Sequence, residues 1–503
     1  MLFLTPPLPV ECPLAGPVAQ WSEQGAHNLR VLGSNPSGPS RVSDRAGGQR
    51  TWITTRCLRT GRDLAWRWIA PACGLLLTCS TVHSAKGTRL NAGPTIYRAA
   101  WIIPVSDPPI RDGALAIENG RITWLGPSVD LKPQASSLKP HSIDLGDVAI
   151  LPGLINAHTH LELTAFAGRL KPQPLWTWFD QLIDLIRASD FAIVGPQSVR
   201  DGAVQSLAAG VTCVADISRT GQNVAVLAES PIRKVCFLEL ISGAASIPND
   251  IPSLKNCLNE LKPYRNAASL TFGLAPHTPY TVSRADLTAT AAMAQSEPLP
   301  LTLHFLETPE EAARFENRAG AEPLGNFLTN RRLPITTPNA AALDLLEATG
   351  ILAERPLLAH VNYIDDAGIR RLAEAGASVA YCPRAHAWFS HKPHRWRDML
   401  AARINVCLGT DSLASNSSLS ILEETRYLRR QSPDMPAQAL LEMATMNAAR
   451  ALKLDSQIGS LTPGKLADFI TIPISKSSAH PIEEILNSES QVTGVWLAGT
   501  RTV

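Results

Sequence analysis

Residues 151–163 read LPGLINAHTHLEL, an apolar run that leads into the pair His158 and His160. Side chains two positions apart on a β-strand point to the same face, so the two imidazoles would lie side by side. At the carboxyl end of a barrel strand, that face opens into the mouth where barrel enzymes carry their active sites. A His-x-His pair is a weak signal by itself, and its meaning depends on the rest of the chain.

The same pattern recurs seven times downstream. Each time, an apolar, strand-like run is followed by a helical stretch. The runs are TCVADI (212–217), KVCFLEL (234–240), LTFGLAP (270–276), PLTLHFLE (300–307), PLLAHVNY (356–363), SVAYCP (378–383) and INVCLGTDS (404–412). Alternating strands and helices with polar residues at the strand ends indicate an α/β fold. Eight such units predict a (β/α)8 TIM barrel over residues 151–458.

The segments on either side of these repeats have the pattern of antiparallel sheet. Residues 93–150 contain alternating runs separated by turns, and Asn119–Gly120 between two of them is a strong hairpin signal. Residues 459–503 return to turns and alternating strands. We expect the two segments to meet as one small composite β-sandwich.

Residues 1–92 differ in composition from the rest, since they hold ten of the 46 Lys and Arg but only four of the 44 acids. An Arg-rich, acid-poor lead resembles a transit peptide, and Trp68–Cys79 resembles a short secretory apolar region. A third interpretation is a mis-annotated extension, because Gly33–Pro36 matches what the T-arm of a transfer RNA gene would encode. The three interpretations stay open, and we expect a disordered or mis-annotated segment without an assigned role.

The composition of the 503 residues excludes several classes of protein. Hydrophobic residues make up 45% and charged residues 18%, which is typical of a globular chain. The net charge of +2 gives no reason to expect nucleic acid or an anionic membrane as a partner, and no apolar stretch reaches the length of a membrane span. Nine scattered cysteines without a Cys-x-x-Cys motif favour a cytoplasmic protein with reduced thiols. A homodimer is compatible with the sequence.

Polar groups also close three of the later runs: His304 the fifth, His360 the sixth and Asp411 the eighth. Together with His158 and His160, they would converge only if the strand ends meet in a barrel. Imidazole and carboxylate ligands with one open position suit a divalent metal ion. The sequence therefore predicts a metal site at the carboxyl ends of the strands.

Several longer motifs accompany these residues in a fixed order. They are LPGLINAHTHLELT, GLAPHTPYTVS, LHFLETPEE, LLAHVNY, CPRAHAWF, LGTDSLASNSSLSILEE, ATMNAARALKL and IGSLTPGKLADFITI. In this order they resemble the amidohydrolase superfamily over about residues 95–503, in particular its branch of heteroaromatic amine deaminases and s-triazine hydrolases. The resemblance implies that one zinc ion, or iron as the alternative, is bound by His158, His160, His304 and Asp411.

Some members of this family hold two metal ions that are bridged by a carbamylated lysine of the barrel. The present sequence has no lysine between Lys262 and Lys392, a span that covers the predicted fourth to seventh strands. The bridge therefore has no candidate there, and we expect one metal ion per chain.

The resemblance also implies three catalytic roles. His360 would hydrogen-bond to the metal's water, and Asp411 would take the proton of that water and deliver it to the leaving amine. Glu307, three residues after His304, would protonate a ring nitrogen of the substrate. The structural alternative for acids in this region is a place in the first turn of a helix, which suits Glu310 and Glu311.

Four residues are candidates for substrate contacts: Glu162, His277, Arg384 and His386. Glu162 lies two positions after His160, so on a strand its side chain would point to the same face as the metal-binding histidines. His277 matches a family position that faces the substrate. Arg384 could hold a polar group of the substrate or form a rim salt bridge. The chain departs from the commoner CPRSN form of the family at Ala385–His386. It then adds His391 and His394, which could shape the pocket or bind a second metal at the surface.

Two tryptophans, Trp176 and Trp178, could stack on a ring of the substrate, although packing in the core is the more common role for such residues.

The expected function is hydrolytic deamination of an aminopurine-like nucleoside or a related heteroaromatic amine. Two alternatives use the same site: an s-triazine dechlorinase or deaminase, and a cyclic amidase of the imidazolone type. A third alternative, from another class, is an inactive ligand-binding homologue. The expected partner is a small heteroaromatic molecule, and neither nucleic acid nor a membrane is expected.

Overall fold

The computed structural model describes residues 94–131, 140–244, 248–265, 269–331 and 341–503. The predicted leading segment, residues 1–92, lies outside this part of the chain. The strands are β1 Thr95–Ile102, β2 Ile110–Glu118, β3 Arg121–Pro127, β4 His141–Asp144, β5 Val148–Pro152, β6 Leu154–Thr159, β7 Val211–Ser218, β8 Arg233–Leu240, β9 Leu270–Pro276, β10 Thr302–Phe305, β11 Leu357–His360, β12 Ser378–Tyr381, β13 Asn405–Leu408, β14 Phe469–Pro473, β15 Gly494–Leu497 and β16 Thr500–Arg501.

Helices connect the strands from β6 onward. They are α1 Leu175–Ala188, α2 Phe191–Ala208, α3 Gln222–Glu229, α4 Ile251–Glu260, α5 Arg284–Ser296, α6 Pro309–Phe315, α7 Glu322–Asn330, α8 Ala342–Ala348, α9 Asp366–Ala375, α10 Pro383–Trp388, α11 Trp396–Ala401, α12 Ile421–Gln431, α13 Ala437–Met443, α14 Met446–Ala451 and α15 Pro481–Asn487. None of those within the described residues is long and apolar enough to cross a membrane.

The strands β6 to β13 form two four-stranded parallel sheets, in the orders β6-β7-β8-β9 and β10-β11-β12-β13. Each of the eight apolar runs predicted as strands overlaps one of them, which confirms the α/β fold with parallel strands. Two isolated parallel bridges join the edges of the sheets. Thr159 pairs with Asp411 between β6 and the end of β13, and Leu274 pairs with Leu301 between β9 and the start of β10. This arrangement is consistent with a TIM-barrel-like domain.

The two flanking segments meet in one further sheet. Its order is β16-β15-β14-β5-β1-β2-β3, and β4 pairs in parallel with β1. β14 runs antiparallel to β5, from Phe469 opposite Pro152 to Pro473 opposite Val148. The described strands thus follow one continuous sheet path, and its division into the two layers of a sandwich stays a prediction. The predicted hairpin is confirmed, because Asn119 and Gly120 connect β2 and β3 with φ angles of 50° and 77°.

The flanking sheet is tied to the parallel strands at the entry to β6. The backbone N–H of Gly153 donates to the carbonyl of Asp468, at 3.0 Å. The carboxylate of Asp468 forms an ion pair with Arg233, the first residue of β8. Gly153 has no room for a side chain, since a Cβ atom would lie 2.0 Å from the Thr212 hydroxyl. The two flanking segments therefore meet at the start of β6, the strand that leads to the histidine pair.

Alternate residues of the parallel strands share one apolar face. Its members include Ile155, Ala157, Cys213, Ala215, Ile217, Val235, Phe237, Ala275, Leu357, Ala380 and Cys407. The neighbouring positions, such as Val214, Cys236 and Leu238, join the larger cluster that includes helix residues. Side chains on a strand alternate between its two faces, so the next positions on the first face are Arg219 just after β7, Glu239 near the end of β8 and His277 just after β9. The fold therefore directs polar side chains to one end of these strands.

Candidate metal centre

Four imidazoles lie together at the carboxyl ends of three strands. His158 is on β6, His304 on β10 and His360 on β11, and His160 follows β6 directly. The ring centroid of His158 lies 5.1 Å from that of His160, 5.0 Å from that of His304 and 5.2 Å from that of His360. His158, His304 and His360 are buried, and His160 is slightly exposed. The structure thus brings together the histidines that the sequence predicted to converge.

Asp411 completes the cluster from the end of β13. Its Oδ1 atom lies 3.7 Å from His160 Nε2 and 3.9 Å from His158 Nε2. Its backbone N–H donates to the carbonyl of His158 at 3.1 Å, and its Oδ2 accepts a 2.6 Å hydrogen bond from the Ser415 hydroxyl. Burial raises the pKa of Asp411 to about 6, although the Ser415 hydrogen bond opposes the shift. Oδ1 therefore faces the histidines while the Ser415 hydroxyl holds Oδ2 in place.

The donor atoms of the cluster fit a divalent metal ion. Both ring nitrogens of His158 are buried without a hydrogen-bond partner, which is costly unless something else binds them. One ligand atom each from His158, His160 and Asp411 lie within 4.8 Å of one another, as do ligand atoms of His158, His304 and His360. Imidazole nitrogens and a carboxylate oxygen are typical ligands of zinc and related ions. These residues are thus suited to hold a metal ion.

The protonation state of the imidazoles also suits metal binding. Burial, with added repulsion from neighbouring imidazoles, lowers the pKa of His158, His160, His304 and His360 well below its ordinary value. A neutral imidazole has the lone pair that a metal ion requires. His304 Nδ1 lies 3.1 Å from the carbonyl of His277, an outer contact of the kind that orients a metal-binding histidine.

Glu307 faces His360 from the loop after β10. Its Oε1 atom lies 3.7 Å from His360 Nε2, and the side chain is buried. Burial, with repulsion from Asp411 and Glu311, raises its pKa well above the ordinary value. The residue before it, Leu306, has a φ angle of 47°, an uncommon conformation that redirects the chain at the end of the strand. A protonated carboxyl beside the metal centre is what a general acid requires.

Glu311 fixes the position of Glu307. Its two carboxylate oxygens accept the backbone N–H groups of Leu306 and Glu307, each at 2.9 Å. Asn362 adds a 3.0 Å hydrogen bond from its side-chain amide to the Glu307 carbonyl. Glu311 lies in the first turn of α6, as the sequence suggested for the acids of this region. The structure shows in addition that its carboxylate holds the preceding loop.

We expect Glu311→Ala to lower the free energy of unfolding by about 2–4 kcal/mol, because it leaves two buried N–H donors without acceptors. Turnover should fall as well, since Glu307 loses its support. Urea unfolding measures the first effect and a steady-state assay the second. The matched control is Glu310→Ala, at the partly exposed neighbouring position. Equal stability of the two variants would contradict the supporting role of Glu311.

The predicted substrate contacts Glu162 and His277 lie next to two residues that the sequence analysis did not select. These residues are Arg219, beside Glu162, and Glu239, beside His277. Glu162 Oε1 lies 3.6 Å from Nε of Arg219, the residue after β7. Ligand atoms of Glu239, on β8, His277 and His304 lie within 4.8 Å of one another. Counting in steps of two from the apolar positions Ile217 and Phe237 would have selected Arg219 and Glu239. Neither belongs to a quoted catalytic motif, so motif reasoning passed over them.

Burial also perturbs these groups. It raises the pKa of Glu239 to about 8 and that of Glu162 to about 7, with Arg219 opposing both shifts. It lowers the pKa of His277 to about 4. Perturbed groups that gather in one place are typical of functional sites.

The other two predicted substrate contacts lie after β12. Arg384 contacts Glu424 and the Ser417 hydroxyl, and its backbone N–H donates to the Glu424 carboxylate at 3.0 Å. His386 packs edge-on against Tyr381, with ring centroids 5.5 Å apart. The roles of Arg384 and His386 toward a substrate stay predictions.

The additional histidines of this region surround His360. His394 stacks on Tyr381, with ring centroids 3.9 Å apart, and its Nε2 lies 2.8 Å from the carbonyl of His360. His391 Nδ1 lies 3.2 Å from the Tyr363 hydroxyl. His394 therefore supports the backbone of His360, which has the unusual φ angle of 71°.

Both candidate tryptophans are part of the apolar core. Trp176 packs against Phe327, with ring centroids 5.3 Å apart, and Trp178 packs against Phe389 at 5.2 Å. The Trp178 Nε1–H donates to the carbonyl of Ala414 in the loop that follows Asp411. Both tryptophans therefore pack in the core, and Trp178 also stabilises the loop beside the metal centre through its hydrogen bond.

Comparisons with known proteins agree with this geometry. The sequence profile of the amidohydrolase family matches residues 149–502. A 5-methylthioadenosine/S-adenosylhomocysteine deaminase of Saccharophagus degradans is 30% identical over 435 residues, which cover 82% of this chain and 92% of the relative.

Two of the solved structures that are similar to the chain are named as deaminases. An adenosine deaminase from Xanthomonas campestris with bound zinc has a TM-score of 0.71 at 26% identity, with coverage of 81% of this chain and 92% of that one. The aminofutalosine deaminase of Helicobacter pylori, in complex with methylthio-coformycin, has a TM-score of 0.69 at 24% identity. That comparison covers 81% of this chain and 100% of the other, and it shows the fold alone.

Proposed function

Since the chain belongs to the amidohydrolase family, we propose that it is a metal-dependent hydrolase that removes an amino group from an aminopurine-like nucleoside and releases ammonia. Such an enzyme acts on a carbon–nitrogen bond other than a peptide bond. The observation that carries the proposal is the buried group of four histidines and Asp411, with the carboxyl of Glu307 beside it.

The names of the relatives support the choice of substrate class. The relative from Saccharophagus degradans and the structure from Xanthomonas campestris are both named as deaminases of adenosine or an adenosine-like compound. The compounds in these names have in common an amino group on a heteroaromatic ring. An aminopurine nucleoside is thus favoured over an s-triazine or a cyclic amide.

The mechanism assigns one task to each residue. His158, His160, His304 and Asp411 would hold one metal ion, for which zinc is proposed over iron. When bound, a divalent ion lowers the pKa of a water molecule toward about 7, which makes a nucleophile available at neutral pH. Asp411 takes the proton of the attacking water and later delivers it to the leaving amine.

Glu307 and His360 act on the substrate side of the same reaction. Glu307 protonates a ring nitrogen, which makes the attacked carbon more electrophilic. His360, 3.7 Å from the Glu307 carboxyl, donates a hydrogen bond that orients the attacking water. Glu162, His277, Arg384 and His386 are proposed to contact the substrate.

Finer features of the architecture are also proposed. The bridges at Thr159 and Leu274 support one closed eight-stranded barrel over residues 151–458. The flanking segments 93–150 and 459–503 are proposed to fold back as a composite sandwich. A cytoplasmic location is supported by five cysteines that the structure describes as free: Cys213, Cys236, Cys257, Cys382 and Cys407. A homodimer is also proposed.

We expect the zinc-replete full chain to release ammonia from at least one aminopurine nucleoside in a panel of adenosine, 5′-deoxyadenosine, 5′-methylthioadenosine and aminofutalosine. The physical reason is that Glu307 can protonate a ring nitrogen next to the attacked carbon. Ammonia is measured with a coupled assay, and melamine and a cyclic imidazolone serve as comparison substrates. Turnover of these comparison compounds alone would contradict the nucleoside proposal.

A further inference from the structure

Three histidines lie in one short stretch after β12, outside the metal centre. They are His386, His391 and His394, which we call the second histidine cluster. His386 is in the last turn of α10, and the other two lie between α10 and α11. The ring centroid of His386 lies 5.3 Å from that of His391 and 5.7 Å from that of His394. The imidazoles of the second histidine cluster are thus neighbours in space as well as in sequence.

Each imidazole of this cluster has one buried ring nitrogen without a hydrogen-bond partner. The three atoms are His386 Nε2, His391 Nε2 and His394 Nδ1. A buried polar atom without a partner is unfavourable, and native proteins contain few of them. Three such atoms in so short a stretch indicate that a ligand from outside the chain binds there.

The partners of the other ring nitrogens determine what the free atoms can bind. His394 Nε2 lies 2.8 Å from the carbonyl of His360, which only accepts, so Nε2 carries the proton and Nδ1 has a lone pair. Burial lowers the pKa of His386 to about 4, and a hydrogen bond with the backbone of Lys392 opposes the shift. A hydrogen bond that raises the pKa of an imidazole is one that the imidazole donates. His386 therefore donates from Nδ1, and its free Nε2 has a lone pair as well.

The third ring can present a lone pair in the same way. His391 Nδ1 lies 3.2 Å from the Tyr363 hydroxyl, which can accept the Nδ1 proton and leave a lone pair on Nε2. Burial, with added repulsion from His386, lowers the pKa of His391 to about 4, so the ring is neutral at physiological pH. Imidazoles that bind metal ions typically donate their other ring N–H to a carbonyl or a similar group. Neutral rings with oriented lone pairs attract a cation rather than an anion.

We propose that the second histidine cluster binds one divalent first-row transition ion, such as Zn²⁺, separately from the metal centre. Imidazole nitrogens suit zinc, copper and nickel, whereas calcium and magnesium require oxygen ligands. The three free nitrogens do not all lie within 4.8 Å of one another, so one ring has to turn when the ion binds. His391 is the ring that turns, because it is partly exposed and lies in a segment without helix or strand.

The ion of this cluster should exchange more readily than the ion of the metal centre. All three of its ligands are neutral, whereas Asp411 supplies a negative charge at the metal centre. Dialysis against a chelator should therefore remove the ion from the second histidine cluster and leave one ion per chain. The second ion should return when zinc is added.

The test is a zinc titration of the full chain by calorimetry, after dialysis that leaves only the metal centre occupied. The wild type should take up about one further zinc ion per chain. His391→Gln and His386→Gln should each weaken this uptake by more than about 100-fold, because each removes a ligand. Tyr363→Phe should weaken it by roughly 10-fold to 100-fold, the range typical of losing a group that orients a ligand. His480→Gln, at an exposed position before α15, is the matched control and should bind the second ion as the wild type does.

Elemental analysis before the titration shows whether each variant still holds the ion of the metal centre. Loss of that ion from His391→Gln would assign this imidazole to the metal centre and overturn the proposal. The proposal is also overturned if the wild type takes up no second ion, since water would then be the ligand of the free nitrogens. Uptake that neither His391→Gln nor Tyr363→Phe weakens would place the second ion elsewhere on the chain.

The pair His391→Gln and Tyr363→Phe decides the proposal even if His386→Gln does not fold, because both residues are partly exposed. Ammonia release is not measured in this titration. The result is therefore independent of the proposed deaminase activity.

Discussion

Glu307→Gln should retain a full complement of metal while turnover falls by roughly 10²-fold to 10⁴-fold, the range typical for loss of a general acid. Glutamine keeps the size and the hydrogen-bonding outline of the side chain but has no transferable proton. The backbone N–H groups of Leu306 and Glu307 still reach Glu311, so the loop should keep its conformation. Steady-state kinetics and elemental analysis of the same preparation provide the two readouts.

The matched control for this variant is Glu310→Gln, three residues further along and partly exposed. It should retain wild-type turnover, because its carboxyl group does not face His360. A wild-type rate in Glu307→Gln would show that ring protonation is assigned to the wrong residue. The favoured hydrolase would then be one whose leaving group departs without ring protonation.

His304→Ala should lose metal and activity together. The wild type should contain about one zinc or iron ion per chain, since its ligands and one open position suit one ion. Without His304, the ligands left are two histidines and one carboxylate, so the metal content should fall to near zero after dialysis against a chelator. His141→Ala, at an exposed position of β4, is the control and should keep both metal and activity.

The contrast between these two variants is informative because His304 and Glu307 are three positions apart. A general folding defect of this loop would affect both variants alike, whereas the proposed roles predict metal loss in one and metal retention in the other. Two tightly bound ions that are removed together by Asp411→Ala would overturn the assignment of a single metal ion.

The sequence predicted the parallel strands and the convergence of the histidines because both depend on local signals. Each strand is an apolar run followed by a helical stretch, and His158, His304 and His360 occur where such a run ends. The parallel arrangement of neighbouring strands then places their ends at the same edge of the sheet. Asp411 was predicted for the same reason.

What the sequence did not reveal depends on contacts between distant segments. Glu239 is a single acid in the run KVCFLEL and belongs to none of the longer motifs, so only its position two residues after Phe237 on the strand could have selected it. The double hydrogen bond from the Leu306 and Glu307 backbone to Glu311 requires the conformation of the loop, which local pattern does not specify. The parallel pairing of β4 with β1 joins segments about 45 positions apart, and alternation alone does not determine such a register.

The antiparallel pairing of β14 with β5 has a consequence for synthesis on the ribosome. β5 is made more than 300 residues before its partner, and the Asp468 contacts to Gly153 and Arg233 also come late. Until then, one edge of β5 has unpaired backbone groups and is open to pairing with other chains. The sequence separation of these contacts also slows folding. The nascent chain would therefore benefit from a chaperone over this interval, and a ribosome that stalls before residue 468 would release a chain prone to aggregation.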